Sequence, residues 1–251
     1  MSIFTYEKPN YPDDCIFNIS PSAIGRFFEY PVNWYREEVL GEEKEFQGND
    51  SSIIGTICHA VYADKIQQKN ILTREIINKD LYDTYGNRKD LNLQYIADTY
   101  PQVANCVMSE YFHRHQPDSV EEKILGKVKN GIYIGGTCDA RQGSVVVDFK
   151  TVKIKPNENE IPFPYKIQLL AYAYIYSQPP YNKYINAVRI VYGVHPGVKN
   201  PARCYVVEEQ IDFPAKELIN DTLTLIADSI LKIKEDPSLT YLIFKSMKLK
   251  K

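Results

Sequence analysis

Two acids and a lysine fall on short apolar runs in the middle of this chain, and few folds can accommodate that. Gly136-Thr137-Cys138-Asp139, a turn over Ala140 to Ser144 and Val145-Val146-Val147-Asp148-Phe149-Lys150-Thr151 read together as a β-hairpin. Asp148 and Lys150 lie two residues apart, so strand pleating points both to one face and Val145, Val147 and Phe149 to the other. Ionised groups gathered on a buried sheet are costly unless something compensates them. The usual compensator of clustered carboxylates is a bound cation. The expectation is therefore a metal-dependent hydrolytic site. The tripeptide itself carries little weight, because acid-x-Lys also occurs at Glu42-x-Lys44 and Glu121-x-Lys123. Only the third copy follows an apolar run and has another acid on the preceding strand.

The 251 residues, 44% of them hydrophobic, suffice for one large domain or a core with an added helical part. Met1 to Asp14 has no apolar segment of the signal-peptide kind, and no run reaches the roughly 20 apolar residues that span a bilayer. The expected location is the cytoplasm of a bacterial or phage-infected cell. Five scattered cysteines without a CxxC give no support to a disulfide framework or zinc ribbon and read as reduced thiols. The net charge of −2 hides an asymmetry: −7 over residues 1–120 and +5 over 121–251. A basic second half suits a polyanion, and a solvated surface explains it as well.

In chain order, residues 1–18 read as an extended lead-in. Ser20-Pro21-Ser22 is a helix start, and Glu42 to Asp50 is a polar loop. A helix from Ser51 puts Gly55 and His59 on one face, where the glycine would let it lie close to a strand. Thr73 to Tyr85, Leu91 to Ala97 and Pro101 to His115 read as further helices. The period then changes. Lys123 to Lys129 and Ile132 to Cys138 are strands joined by Asn130-Gly131, and Val145 to Thr151 is the third. A polar loop, Lys153 to Pro164, precedes a helix over Tyr165 to Ser177. Strands at Tyr184 to Val194 and Ala202 to Gln210 and a helix over Pro214 to Lys234 complete a mixed α/β sheet with helices packed on it. The tail from Lys245 to Lys251 carries four lysines.

Taken alone, His59 reads as a satisfied histidine, and Gln168 with Tyr172, at i and i+4, as an exposed helix edge. Together the motifs are more specific. Ser20-Pro21-Ser22 with Tyr30-Pro31 and Tyr35, Gly55-x3-His59, Gly136-x2-Asp139, Asp148-x-Lys150-Thr151 and Gln168-x3-Tyr172 occur in one order over residues 19–178. That order resembles the PD-(D/E)XK nuclease superfamily, in the branch of the RecB nuclease domain and phage exonucleases. The resemblance implies a restriction-endonuclease-like αβββαβ core in a single domain over 1–251. Within it, 1–118 would be a mainly helical part contributing His59, 119–236 the catalytic core and 237–251 a basic tail. Some relatives hold an iron–sulfur cluster through a cysteine just before the proline of the first motif and three near the C-terminus. Tyr30 stands at the first of these positions and nothing Cys-rich follows Lys150, so no iron–sulfur cluster is expected.

The same resemblance implies the roles. Asp139 and Asp148 would hold Mg²⁺ or Mn²⁺ with His59 and the carbonyl of Phe149, and an imidazole ligand favours manganese competence. Lys150 would orient or deprotonate the attacking water and stabilise the phosphate. Gln168 and Tyr172 would position Lys150, the scissile phosphate or the strand. Glu122, with Glu121 beside it, is the candidate for a second ion, and Arg26, Lys153 and Lys155 are candidates for phosphate contacts. The implied activity is a metal-dependent deoxyribonuclease, an exonuclease on DNA ends in recombination, repair or phage DNA metabolism. No GxxxxGK[ST] motor is present, so unwinding would fall to a helicase, and an annealing or replication protein is the other expected partner. The rivals are a non-cleaving nucleic-acid-binding module of the same fold, a structure-specific endonuclease, and a hydrolase of RNA or nucleotides. The costly set of Asp139, Asp148 and Lys150 argues against the first.

Overall fold

The computed structural model describes residues 2–5, 10–42 and 48–236. The basic tail at 237–251 and much of the polar loop read between Glu42 and Asp50 lie outside them. A short strand β1 (Phe17–Ile19) opens the described core. Short helices α1 (Ile24–Glu29) and α2 (Pro31–Trp34) follow, then α3 (Asp50–Ile66), α4 (Arg74–Tyr85) and α5 (Leu93–Val107). Strands β2 (Ser119–Lys129), β3 (Ile132–Gln142) and β4 (Val145–Val152) lead to α6 (Phe163–Ser177). Then come β5 (Ala187–Val194), β6 (Arg203–Gln210) and α7 (Phe213–Glu235). This is the mixed α/β plan expected, with shifted boundaries (the turn expected over Ala140 to Ser144 is strand as far as Gln142, and the strand expected from Tyr184 begins at Ala187) and two larger departures. The lead-in contributes β1, which pairs parallel with the start of β3. Helix α5 runs through Pro101 where a break was expected. Ile96, Tyr100, Val103 and Val107 are all buried on one side of it. That packing outweighs the roughly 3 kcal/mol cost of an interior proline.

Local chemistry sets the ends of the elements. Asn49, two residues before the expected start, caps α3 reciprocally. Its Oδ1 accepts from Ser52 N at 3.0 Å, and its own amide donates to Ser52 Oγ at 2.8 Å. Gly131, at φ +70°, forms the tight turn between β2 and β3. Asp212 Oδ1 accepts from Ala215 N at 2.9 Å and starts α7.

The sheet separates two apolar cores. Trp34, Ile134, Val146, Ile190 and Tyr176 are buried on the side of α1, α6 and α7. Ile54, Ile57, Leu81, Val103, Val147, Phe149 and Val191 are buried on the side of α3 to α5. Strand β4 alternates between them as its sequence requires. Phe149 lies among the rings of Tyr62, Tyr111 and Phe112, with centroids 5.2, 6.0 and 5.2 Å away. Such ring pairs contribute about 0.5–1.5 kcal/mol each beyond their buried area. They fix the strand so that Asp148 and Lys150 face α6. On β5, a Cβ at Gly193 would fall 2.5 Å from Val103 Cγ1 and 3.3 Å from Val107 Cγ2 of α5. Gly193→Ala is expected to lower stability by about 1–3 kcal/mol through overpacking, read as a fall in the urea midpoint at constant slope.

β3 has two edges. The full length of one pairs antiparallel with β2. On the other, β1 takes residues 132–134 and β4 takes only 140–142. Residues 135–139 are left without a strand partner there. A buried gap of that kind needs its polar groups satisfied by other means. Side chains do this: Asn18 Nδ2 donates to Gly135 O at 3.2 Å, and the Tyr172 hydroxyl donates to Thr137 O at 2.7 Å. The Asp139 carboxylate accepts the Phe149 amide at 2.8 Å.

Candidate active site

The functional candidates converge on this gap. Helix α3 crosses the end of β4 at Gly55, where a Cβ would meet Thr151 Oγ1 at an ordinary 3.6 Å, so alanine would also fit. One turn on, His59 Nε2 lies 2.9 Å from Phe149 O. A carbonyl oxygen only accepts, so Nε2 carries a proton and Nδ1 faces the other way. Nδ1 is 3.5 Å from Asp139 Oδ1 and 3.4 Å from Glu121 Oε1. One donor atom from each of His59, Glu121 and Asp139 lies within 4.8 Å of the others. An imidazole with two carboxylates is a fitting set for Mg²⁺ or Mn²⁺.

The second half of the site is Asp148 and its partners. Its Oδ1 accepts from Lys150 Nζ at 2.9 Å and from Gln168 Nε2 at 3.0 Å. Oδ2 has only its ion-pair contact with the same ammonium, at 2.8 Å. The Lys150 ammonium also stands over the Tyr165 ring, 5.0 Å from its centroid. Helix α6 therefore holds the site with three residues at helical spacing: Tyr165, Gln168 and Tyr172.

Burial and charge divide the titrations. Burial pushes Asp148 up to about 6, with Asp139 adding to the effect and Lys150 opposing it. Burial acts on Asp139 in the same sense, but His59 and Lys150 overcome it and hold that carboxyl below the usual range. Burial opposes charge on Lys150 and His59 too. For Lys150 the carboxylates of Asp148 and Asp139 win, and for His59 those of Asp139 and Glu121 win, so both stay protonated more firmly than usual. A cation must displace the proton from His59 Nδ1 to use that nitrogen. Affinity for Mn²⁺ is therefore expected to rise with pH as His59 gives up its proton, and to be weaker at neutral pH than an ordinary imidazole would make it, measured by calorimetric titration across pH.

His59, Asp139, Asp148, Lys150, Gln168 and Tyr172 thus come together around one gap. The Phe149 carbonyl faces the His59 ring. Glu122 lies elsewhere: it accepts from the Tyr176 hydroxyl at 2.8 Å, while its neighbour Glu121 reaches His59. Glu121 adopts φ +49°, a left-handed backbone unusual for a residue with a side chain. Arg26 is engaged by Glu37 and Glu38, 2.6 Å from the latter. Lys153 stands over the Tyr95 ring at 5.9 Å, and Lys155 pairs with Glu158 at 2.5 Å. None of these three cations touches the acid cluster among the described contacts.

The description of the PD-(D/E)XK nuclease superfamily matches residues 18–238. The chain belongs to this superfamily. Its mixed sheet and flanking helices are those of the restriction-endonuclease-like fold. A solved structure of a candidate exonuclease from Eubacterium rectale is similar to it, with TM-score 0.56 and 13% identity, covering 87% of this chain and 81% of that one. LHK-Exo in complex with dAMP aligns with TM-score 0.38 and 11% identity, over 76% of this chain and 93% of that one. No curated protein matches the sequence. Among the described residues of this PD-(D/E)XK protein, no helix is long and apolar enough to cross a membrane.

Proposed function

We propose that this chain is a divalent-cation-dependent deoxyribonuclease, an exonuclease acting on DNA ends in recombination, repair or phage DNA metabolism. Membership of a nuclease superfamily supports phosphodiester hydrolysis. The observation that carries the reading is the convergence of His59, Glu121 and Asp139 within 4.8 Å, beside the buried Asp148–Lys150 pair. A Mg²⁺ or Mn²⁺ ion held there would neutralise phosphate charge and acidify water.

The chain's own residues supply the rest. The firmly protonated Lys150 is suited to stabilising negative charge on a phosphate oxygen rather than to taking a proton from water. Asp148 holds that ammonium in place and is itself fixed by Gln168. Tyr172 keeps the Thr137 carbonyl satisfied and so keeps the gap in the sheet open. His59 orients Nδ1 toward Asp139 and Glu121 by donating to Phe149 O from Nε2.

The test is digestion of end-labelled linear DNA and closed circular DNA with Mg²⁺, Mn²⁺ or chelator, beside Asp148→Ala and Lys150→Ala. Linear DNA should be degraded only with a cation, circular DNA should survive, and both variants should be inert. If wild type and variants bind DNA and are equally inert under every cation, the nuclease reading fails. Circular DNA degraded as fast as linear would remove the exonuclease assignment.

A further inference from the structure

Two groups of different kinds hold the Lys150 ammonium. The Asp148 carboxylate lies on one side, with Oδ1 at 2.9 Å and Oδ2 at 2.8 Å. The ring of Tyr165 lies on another, its centroid 5.0 Å away. Tyr165 stands in the first turn of α6, its amide donating to Pro162 O at 3.0 Å, one turn before Gln168. It therefore shares the helix face that carries Gln168 to Asp148. Tyr192, paired with Lys150 across β4 and β5 and 2% exposed, lies beside the lysine on the same face of the sheet. The cavity of 1080 Å³ that takes in Asp139, Asp148, Lys150 and Gln168 has no Tyr165 in its lining. A molecule in that cavity would touch the lysine and not the tyrosine.

The Lys150 side chain is only 23% exposed, so the protein itself must compensate most of its charge. An aromatic face does this through its quadrupole and claims no N–H in a fixed direction. The N–H groups that Asp148 does not use therefore remain for a phosphate oxygen. A second carboxylate in place of the ring would claim them, and an aliphatic side chain would leave that side of the charge bare. We propose that Tyr165 is a positioning residue: its ring face holds the Lys150 ammonium beside Asp148 with an N–H turned to the phosphate, and so raises kcat without touching the substrate. This role rests on the nuclease activity proposed above.

The test compares Tyr165→Leu with Tyr165→Phe in cleavage of linear DNA with the activating cation. Tyr165→Leu should lower kcat roughly five- to thirtyfold, the factor equivalent to one desolvated cation–ring contact, with KM within about twofold of wild type. Tyr165→Phe keeps the ring face and should restore the rate to within about threefold of wild type. Urea midpoints separate this role from plain packing: Tyr165→Leu should lower the midpoint more with Lys150 present than in combination with Lys150→Met. Tyr165→Met serves if the Tyr165→Leu protein does not fold. Equal losses of rate in Tyr165→Leu and Tyr165→Phe overturn the proposal, as do additive midpoints or a rise in KM with kcat unchanged. No cleavage by the wild type with any cation is a different result: it overturns the nuclease reading itself, and this role with it.

Discussion

Asp148→Asn should cut turnover by orders of magnitude and leave the fold more stable than wild type at neutral pH. The side chain is 1% exposed and its pKa is raised to about 6, above an unfolded value near 4. Between these values the folded state holds the proton more tightly than the unfolded chain. Wild-type stability therefore falls as pH rises through that window, and the full penalty stands above pH 6. The uncharged amide avoids it. In chelator at pH 7–8 the variant should gain up to about 3 kcal/mol, the opposing pull of Lys150 being already contained in that shift, and the gain should fade by pH 4. Turnover should fall roughly 10³-fold, because the group that fixes the Lys150 ammonium is gone. Denaturation midpoints across pH, beside single-turnover rates, check both halves. An Asp148→Asn protein that is less stable yet fully active would contradict the account of this pair.

The second large effect separates two adjacent glutamates. Glu121→Gln should weaken Mn²⁺ binding about 10- to 100-fold, the range seen when a group supporting a metal is removed. Glu122→Gln should leave it within about twofold, because its carboxylate serves the Tyr176 hydroxyl and an amide oxygen can accept the same bond. Titration of each variant with Mn²⁺ reads the difference directly. Equal losses in both variants would mean that the cluster around His59 is not where the cation sits.

These two residues also mark what could be read from the sequence. Counting back from the Asn130-Gly131 turn pairs Glu122 with Asp139. Lys129 does pair with Ile132, but the register shifts by one before Lys127 pairs with Tyr133. That bulge sets Glu122 opposite Cys138 and leaves Glu121 beside Asp139. Neither the slip nor the positive φ at Glu121 has a glycine or proline to announce it. Spacing of two puts Asp148 and Lys150 on one face, and i, i+4 spacing does so for Gln168 and Tyr172; that they belong to one site was implied only by the resemblance, since singly they read as a chance tripeptide and an exposed helix edge. The spacing to Gly55 placed His59 on the face of its helix turned to a strand, but its place in the site was implied only by the resemblance, and an alanine would fit where the glycine stands. The gap in the sheet was not legible, since it depends on β1, of which Phe17 and Asn18 were read as lead-in and Ile19 as the start of a helix, occupying one end of the β3 edge. Arg26, Lys153 and Lys155 could be identified as basic but not as already engaged by Glu37, Glu38, Tyr95 and Glu158.

The central claim is that the break between β3 and β4 is a cation site built from both halves of the chain. The anomalous difference map of crystals soaked in Mn²⁺ tests it most directly. The account requires a peak between His59 Nδ1, Glu121 and Asp139, beside the Asp148–Lys150 pair. A map without that peak, at Mn²⁺ concentrations that support DNA cleavage in solution, would contradict it.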